Sequence, residues 1–112
     1  MDQASSTRAP EMGVEELKRR LDAGEDLQII DVREPHEYQI ANLKGKLIPL
    51  NDLPQRVGEI DRERETVVHC RSGVRSAKAV GFLEQQGYTN ARNLAGGILA
   101  WADKIDPTMT KY

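Results

Sequence analysis

The chain has 112 residues, with 16 basic and 18 acidic side chains and a net charge of -2. This length predicts one domain that buries about two thirds of its unfolded surface, and the charge balance excludes a general attraction to nucleic acid. A single cysteine excludes an internal disulfide framework and suits a reducing compartment. No apolar stretch approaches the roughly 20 residues of a membrane span, and the N-terminus lacks the apolar region of a signal peptide. We therefore expect a cytoplasmic protein with no membrane partner.

Short apolar runs alternate with amphipathic segments along the chain, which predicts an α/β fold of one domain. The predicted elements are a linker or tail over 1–10, a helix over 11–21, a strand over 27–32, a short helix from 35, a weak strand over 47–50, a helix from 54 towards 60, a strand over 66–69, a helix that stops at 87, a strand over 88–94, a helix over 98–104 and a C-terminal tail over 105–112. The strands are short and apolar, which is typical of a mainly parallel sheet with helices on both faces.

The only cysteine, Cys70, ends the apolar strand over 66–69 and opens a short polar loop before a helix. A thiolate near a helix N-terminus, beside inward-facing N–H groups and two arginines, would be stabilised as an anion and exposed to an attacker. Sulfur transfer needs such a thiolate, which attacks a sulfane sulfur and then holds it as a persulfide. Cys70 is therefore the candidate catalytic nucleophile.

The loop after Cys70 is predicted to hold the persulfide through the N–H groups of Arg71, Ser72, Gly73, Val74, Arg75 and Ser76. Arg75 is expected to close the loop with its planar fork of donors, and Arg71 to attract anionic donors such as thiosulfate. Four residues separate Cys70 from Arg75, one fewer than in the protein tyrosine phosphatases. The smaller ring favours a single sulfur atom over a phosphate. Activity as a cysteine-dependent phosphatase or an arsenate reductase remains an alternative.

Charged residues around the first strand are predicted to support this loop. We expect Arg33 to pair with Glu37 and Asp31 to accept hydrogen bonds near the loop. Ligands bind outside the carboxyl ends of parallel strands, so Asp31 and Cys70 are expected to share one crevice. His69 should point away from the Cys70 face and is predicted to be a core residue. The cysteine and histidines match no metal-site spacing, and the sequence calls for no cofactor.

These motifs in this order resemble the rhodanese domain of sulfurtransferases. The resemblance covers residues 11–104 and rests on the segments Asp31-Val32-Arg33-Glu34, Glu37-Tyr38, Gly45, Ile48-Pro49-Leu50, Cys70-Arg71-Ser72-Gly73-Val74-Arg75-Ser76 and Leu94-Ala95-Gly96-Gly97-Ile98 with Trp101. The helix start over 14–17 and the ending over 105–112 look most like the C-terminal rhodanese domain of adenylyltransferase/sulfurtransferase fusions in molybdopterin and thiamine biosynthesis.

The resemblance implies an enzyme similar to thiosulfate:cyanide sulfurtransferases, which passes sulfur from Cys70 to a thiophilic acceptor or a sulfur-carrier protein. The implied donor is thiosulfate or a persulfidated cysteine desulfurase, and the implied carrier is ubiquitin-like. Many rhodaneses have His-Ile-x-Gly-Ala where this chain has residues 42–46, Asn-Leu-Lys-Gly-Lys. Lys44 and Lys46, with Arg71 and Arg75, would form a positive rim for an acidic partner or a small anion. A non-catalytic module that docks a partner is therefore a second alternative.

Overall fold

The computed structural model describes residues 9–112, so most of the predicted linker or tail over 1–10 lies outside the described residues. The helices and strands are β1 (Glu11–Met12), α1 (Val14–Asp22), β2 (Gln28–Asp31), α2 (Pro35–Ile40), β3 (Lys46–Leu47), α3 (Leu53–Arg56), β4 (Thr66–His69), α4 (Val74–Gln85), β5 (Ala91–Leu94) and α5 (Gly97–Lys104). Short 3-10 turns at Leu50–Asp52 and Val57–Glu59 flank α3. Within the described part of the chain, no helix is both long and apolar enough to cross a membrane.

The five strands form one sheet in the order β1-β5-β4-β2-β3, and every neighbouring pair is parallel. This confirms the predicted α/β fold. β4 is the central strand, with Val68 opposite Ile30 of β2 on one side and Asn93 of β5 on the other. Because all strands run the same way, the loop that begins at Cys70 emerges between the carboxyl ends of β2 and β5.

Alternate residues of the strands fill two separate apolar layers. Ile30 and Val68 pack on one face with residues of α3 and α4, and Cys70 belongs to this layer. Ile29 and Val67 pack on the other face with residues of α1 and α5. Both faces of the sheet are therefore covered, which explains why the strands read as continuous apolar runs.

The N-terminal boundary differs from the prediction. The segment Glu11–Met12 is a strand, not the first turn of a helix, and it pairs with β5 through Met12 opposite Leu94. Met12 is almost fully buried by this pairing. Leu21, in the last turn of α1, is 36% exposed because α1 packs through Val14 and Leu17.

Three further elements are shorter than predicted. The helix after Pro54 ends at Arg56, and a 3-10 turn through Gly58 then directs Ile60 into the core. The second strand stops at Leu47, shortly before Pro49, which lacks the N–H that a sheet requires. The last strand begins only at Ala91, since the Tyr88 N–H donates to the Leu83 carbonyl of α4 at 3.0 Å and not to a neighbouring strand.

Both predicted tails make contacts with the domain where they are described. The carbonyl of Pro10 accepts a hydrogen bond of 2.7 Å from the Asn93 N–H of β5. At the other end, Ile105 packs against the α1 and α5 layer. The ring of Tyr112 lies 5.5 Å from the Arg71 guanidinium and 6.3 Å from the ring of His36. Residues 105–112 therefore pack against the domain up to the loop that follows Cys70.

Candidate active site

The Cys70 loop joins the central strand directly to the longest helix described. α4 begins at Val74, and its cap, Gly73, has a φ of 111°, in the left-handed region that favours glycine. This conformation turns the chain so that the N–H groups of Gly73 and Ser76 point back at the Cys70 sulfur. The sequence Cys-Arg-Ser-Gly therefore builds a turn that points donors at one atom.

Three hydrogen-bond donors surround the Cys70 sulfur. The distances to Sγ are 3.1 Å from the Gly73 nitrogen, 3.4 Å from the Ser76 nitrogen and 3.3 Å from the Ser76 hydroxyl oxygen. Burial raises the pKa of the Cys70 thiol, but the bonds from Ser76 and from the N–H groups of Gly73 and Ser72 outweigh it and leave the pKa below its ordinary value. The loop therefore stabilises a sulfur anion.

The predicted exposure of the thiolate is wrong, because Cys70 is only 1% exposed. Its sulfur lies within the ring of loop donors, and the residue also packs in the apolar layer beneath α4. An attacking molecule therefore meets the loop and the first turn of α4 before it reaches Sγ. Arg71, Ser72 and Val74 are the exposed residues of that surface, and Val74 is 65% exposed.

The loop is held from behind by the first turn of α5. The N–H of Ile98 donates to the Cys70 carbonyl at 3.0 Å, and the N–H of Leu99 donates to the Arg71 carbonyl at 3.1 Å. Gly97 allows this approach, since a Cβ at that position would lie 2.6 Å from the Cys70 carbonyl oxygen and would overlap the Arg71 carbonyl. With its carbonyls turned towards α5, the loop has its N–H groups free to face the sulfur.

Arg75 and Glu37 form the side wall of the loop. The Arg75 guanidinium donates to both carboxylate oxygens of Glu37, at 2.7 and 2.9 Å. The bond from Arg75 is the main reason that the pKa of Glu37 falls to about 2. The prediction paired Glu37 with Arg33 and left the fork of Arg75 for the loop itself. In the structure the fork binds Glu37, so Arg75 ties α4 to α2.

The other predicted supporting residues form a fully buried pair below the loop. Arg33 and Asp31 are both 0% exposed, and the Arg33 Nη2 lies 2.8 Å from Asp31 Oδ2. Arg33 reaches Glu37 only through its main-chain carbonyl, at 3.3 Å. The expected link between Arg33 and Glu37 is therefore made through the main-chain carbonyl and not through the carboxylate, and Asp31 accepts its hydrogen bonds from Arg33. In a site without water, Arg33 attracts the buried Asp31 carboxylate more strongly than it would attract a carboxylate in contact with water.

His69 lies beside this pair and is fully buried, as predicted for a core histidine. Its Nε2 is 3.6 Å from Asp31 Oδ2, too far for a hydrogen bond. Burial lowers the pKa of His69, although Asp31 opposes the shift. His69 makes no hydrogen bond to the Cys70 sulfur among the described residues, so it is not placed to act as the base for Cys70.

Asn93 is a site residue that the sequence did not predict. It lies on β5 with 3% exposure, its Oδ1 is 2.5 Å from the Ser76 hydroxyl oxygen, and its Nδ2 donates to the Gly73 carbonyl at 3.0 Å. The only signal in the sequence is an amide inside an apolar strand, where asparagine is disfavoured. A strand buried on both faces accepts such a side chain only if its amide finds partners.

The predicted positive rim is only partly present. Lys46 forms an ion pair of 3.2 Å with Glu59, and Arg75 is bound to Glu37. The Asn42 amide makes local hydrogen bonds: its Nδ2 donates to the Tyr38 carbonyl, and its Oδ1 accepts from the Lys44 N–H. Lys44 and Arg71 are the exposed cations of the predicted set that make no ion pair among residues 9–112.

The chain is similar to known proteins over most of its length. A family model for the rhodanese-like domain matches residues 13–104. A sulfurtransferase of Allochromatium vinosum is 42% identical over 93 residues, which are 82% of this chain and 87% of that protein. A probable adenylyltransferase/sulfurtransferase of Mycobacterium tuberculosis is 36% identical over 114 residues, which are 99% of this chain but 29% of that longer protein.

Solved structures of similar proteins have the same fold. A rhodanese-like domain protein from Staphylococcus aureus superposes with a TM-score of 0.79 at 34% identity, covering 86% of this chain and 94% of that one. A thiosulfate sulfurtransferase from Pseudomonas aeruginosa gives a TM-score of 0.75 at 30% identity, covering 84% of this chain and 19% of that one. With the family model, the parallel sheet and the loop after its central strand in agreement, the chain belongs to the rhodanese-like domain family.

Proposed function

We propose that this domain is a sulfurtransferase that carries a sulfane sulfur as a persulfide on Cys70. The observation that carries the proposal is the convergence of the Gly73 and Ser76 N–H groups and the Ser76 hydroxyl on one sulfur at the start of α4. These donors, together with the positive end of the helix dipole, favour the thiolate over the thiol. The sulfurtransferase relatives support the same chemistry.

The proposed loading step conserves atoms and charge. The Cys70 thiolate attacks the outer, sulfane sulfur of thiosulfate, a new S–S bond forms, and the original S–S bond breaks as sulfite leaves with its electron pair. The product is a persulfide anion whose outer sulfur stands about 2 Å beyond Sγ. Unloading is the reverse type of attack: a nucleophilic acceptor takes the outer sulfur and the Cys70 thiolate is restored. Cyanide serves as the acceptor in an assay, and a thiol or a carrier protein in the cell.

The side wall of the loop supports sulfur over phosphate as the cargo. Phosphate transfer needs cationic donors that hold the oxygens of the group being moved. Arg75 binds both carboxylate oxygens of Glu37, so its fork has no such role. Four residues between Cys70 and Arg75 also give a small ring. The geometry therefore favours a persulfide over the phosphatase or arsenate reductase alternative.

The exposed arginine next to Cys70 suits an anionic sulfur donor. Arg71 is exposed and stacks on Tyr112 at 5.5 Å. We propose that Arg71 attracts thiosulfate, or an acidic surface of a persulfidated cysteine desulfurase, to the loop. We further propose a ubiquitin-like sulfur carrier as the acceptor, a cytoplasmic setting that keeps the thiol reduced, and a rhodanese domain over 11–104 between the predicted segments 1–10 and 105–112.

The decisive test is the mass of the protein after incubation with thiosulfate. We expect the wild-type chain to gain the mass of one sulfur atom on Cys70 and to produce thiocyanate when cyanide is added. Cys70→Ser should lose both the mass gain and the thiocyanate. An unmodified Cys70 after treatment with thiosulfate and with a persulfidated desulfurase would overturn the proposal.

The docking alternative makes a different prediction in cells. If the domain only docks a partner, Cys70→Ser retains function in cells while charge reversal of Lys44 and Lys46 abolishes it. Under the proposed function, Cys70→Ser abolishes function in cells because the cysteine carries the sulfur, and charge reversal of Lys44 and Lys46 has the smaller effect. Hydrolysis of a phosphotyrosine analogue that depends on Cys70 would instead support the phosphatase alternative.

A further inference from the structure

The Ser76 hydroxyl lies within hydrogen-bond distance of two different acceptors. The Ser76 oxygen is 2.5 Å from Asn93 Oδ1 and 3.3 Å from the Cys70 sulfur. Ser76 is 0% exposed and Asn93 is 3% exposed, so water does not replace either partner. A serine hydroxyl has one proton to donate. It therefore satisfies Asn93 or a Cys70 thiolate, but not both at once.

Asn93 is itself held in one orientation. Its Nδ2 donates to the Gly73 carbonyl at 3.0 Å, so its Oδ1 is the end that faces Ser76. Its main-chain N–H donates to the Pro10 carbonyl at 2.7 Å, and its strand is paired on both sides by β1 and β4. The amide oxygen is thus a fixed acceptor aimed at the hydroxyl that reaches Cys70.

We propose that Asn93 is a positioning residue of the Cys70 site, whose amide oxygen competes with the Cys70 sulfur for the single proton of the Ser76 hydroxyl. The inference rests on the proposed function for its catalytic meaning, since it concerns the sulfur that would carry the cargo. With a thiol at Cys70, the S–H donates to the Ser76 oxygen and the hydroxyl donates to Asn93. With a thiolate, the hydroxyl turns to the sulfur and Asn93 loses its donor.

This competition has a consequence for the loaded site. When a persulfide forms, the negative charge moves from Sγ to the outer sulfur, and Sγ becomes a weak acceptor. The Ser76 hydroxyl then returns to Asn93, and the N–H groups of the loop are left to hold the outer sulfur. Asn93 therefore opposes the free thiolate and stabilises the thiol and the persulfide, the two states in which Sγ is uncharged.

The charged groups around the loop stay the same when Asn93 is replaced. Arg71 and Arg75 are the cations of the loop and of α4, and Glu37 faces Arg75 from α2. Below the loop lie Asp31 and Arg33, already paired, with the neutral His69 beside them. The β5 side chain that contacts Ser76 and the Gly73 carbonyl is Asn93, which is uncharged. A change in Cys70 titration on replacing Asn93 with another uncharged residue therefore comes from hydrogen bonding.

A double-mutant cycle with Ser76 separates competition from simple loss of structure. Cys70 is the only cysteine, so ultraviolet thiolate absorbance and the pH dependence of alkylation report on it alone. Asn93→Ala should lower the pKa of Cys70 by about 0.5–1 unit, the size of one modest hydrogen bond. Ser76→Ala should raise the pKa, and in that background Asn93→Ala should produce no further fall. Neither measurement requires sulfur transfer, so the outcome is independent of whether thiosulfate loads Cys70.

The cycle also has clear outcomes against the proposal. An unchanged or raised pKa in Asn93→Ala, or the same shift with and without Ser76, would mean that Asn93 only supports Gly73 and would overturn the competition. If Asn93→Ala fails to fold by circular dichroism, Asn93→Asp takes its place. Its carboxylate accepts the hydroxyl proton more strongly, so it should raise the pKa of Cys70 more with Ser76 present than with alanine there. Equal shifts in the two backgrounds would again overturn the proposal.

Discussion

Near the carboxyl edge of the sheet one ion pair is fully buried, whereas at the amino edge the ion pairs form a network in contact with water. Asp31 and Arg33 are each 0% exposed, and they lie below the Cys70 loop. At the other edge, Arg20 of α1 is 16% exposed and its guanidinium contacts Glu65, which is 33% exposed and precedes β4. Glu16 and Glu25 also bind Arg20, and Arg92 contacts Glu16 and Glu65.

The difference in burial between the two edges determines how much the loss of one charged partner destabilises the fold. Water and salt screen the attraction between two charges at the surface. When one of the two is removed, water hydrates the charge that remains. A buried pair has no such substitute, so removal of one member leaves a charge that nothing solvates. The edge that holds the candidate site is therefore the edge at which single substitutions should have the largest effects.

The largest effect is expected from breaking the buried pair. Arg33→Met should lower the free energy of unfolding by about 3–5 kcal/mol, because the Asp31 charge remains buried without its partner. Urea unfolding at pH 7, followed by circular dichroism, measures the change. Arg20→Met is the matched control at the amino edge, and its loss should be much smaller and shrink further in high salt. Similar losses for the two variants would contradict the contrast between the edges.

A smaller loss is expected where α5 approaches the loop. Gly97→Ala places a Cβ against the carbonyls of Cys70 and Arg71 at a φ of 61°, so the hydrogen bonds from Ile98 and Leu99 must lengthen. We expect a loss of about 2–4 kcal/mol in unfolding free energy and a higher pKa for Cys70 in its alkylation profile.

Gly81→Ala serves as the control for that substitution. Gly81 lies inside α4, and a Cβ there would meet no heavy atom within 4 Å. Because alanine favours a helix more than glycine does, this variant should gain up to about 1 kcal/mol. If Gly97→Ala behaved like Gly81→Ala, the close contact of α5 with the loop would not matter for stability.

The smallest of the three effects concerns acid stability. Glu37 has a folded pKa of about 2 against an ordinary value of 4.5, so its pair with Arg75 stabilises the fold above pH 4.5. That contribution is lost as the pH falls from 4.5 to about 2. Screening by water at the partly exposed Arg75 reduces it to about 1–2 kcal/mol, well below the full value of the shift. Glu37→Gln should therefore flatten the decline of unfolding free energy across this window.

Glu65→Gln provides the amino-edge comparison for the acid experiment. Hydrogen bonding to Arg20 also lowers the pKa of Glu65, so the direction of its effect is the same. Its greater exposure lets water and salt screen the pair, and the flattening should be weaker and sensitive to ionic strength. A stronger effect from Glu65 than from Glu37 would contradict the comparison.

Much of the fold follows from local patterns in the sequence. Apolar runs predicted β2 and β4, and the alternation of strands with helices predicted a parallel sheet covered on both faces. Boundaries were wrong where tertiary pairing overrides the local pattern. Glu11–Met12 became a strand because β5 offers an open edge, and the last strand shortened because the Tyr88 N–H is bound to the Leu83 carbonyl of α4.

In the candidate site, too, the local features were predictable from the sequence and the tertiary contacts were not. The order Cys70, Gly73, Arg75 and Ser76 was sufficient to predict a loop of N–H donors around a sulfur, since a strand, a left-handed glycine and a helix start are local features. The partners of the charged residues were not predictable, because Arg33 had three carboxylates near it in sequence and Arg75 had none. Only the tertiary structure, which brings the start of α4 beside α2, assigned Glu37 to Arg75 and left Asp31 to Arg33.

By itself, the sequence determined the class of fold, the position of the single cysteine after the central strand and the small ring that follows it. Those features depend on residues that are neighbours along the chain. The tertiary structure decided that the sulfur is buried, that α5 turns the loop carbonyls away from it, and that Asn93 faces Ser76 from a strand 17 residues away. These contacts depend on how the sheet and the helices pack. Burial then makes a polar group without a hydrogen-bond partner, or a charge without an ion-pair partner, strongly destabilising.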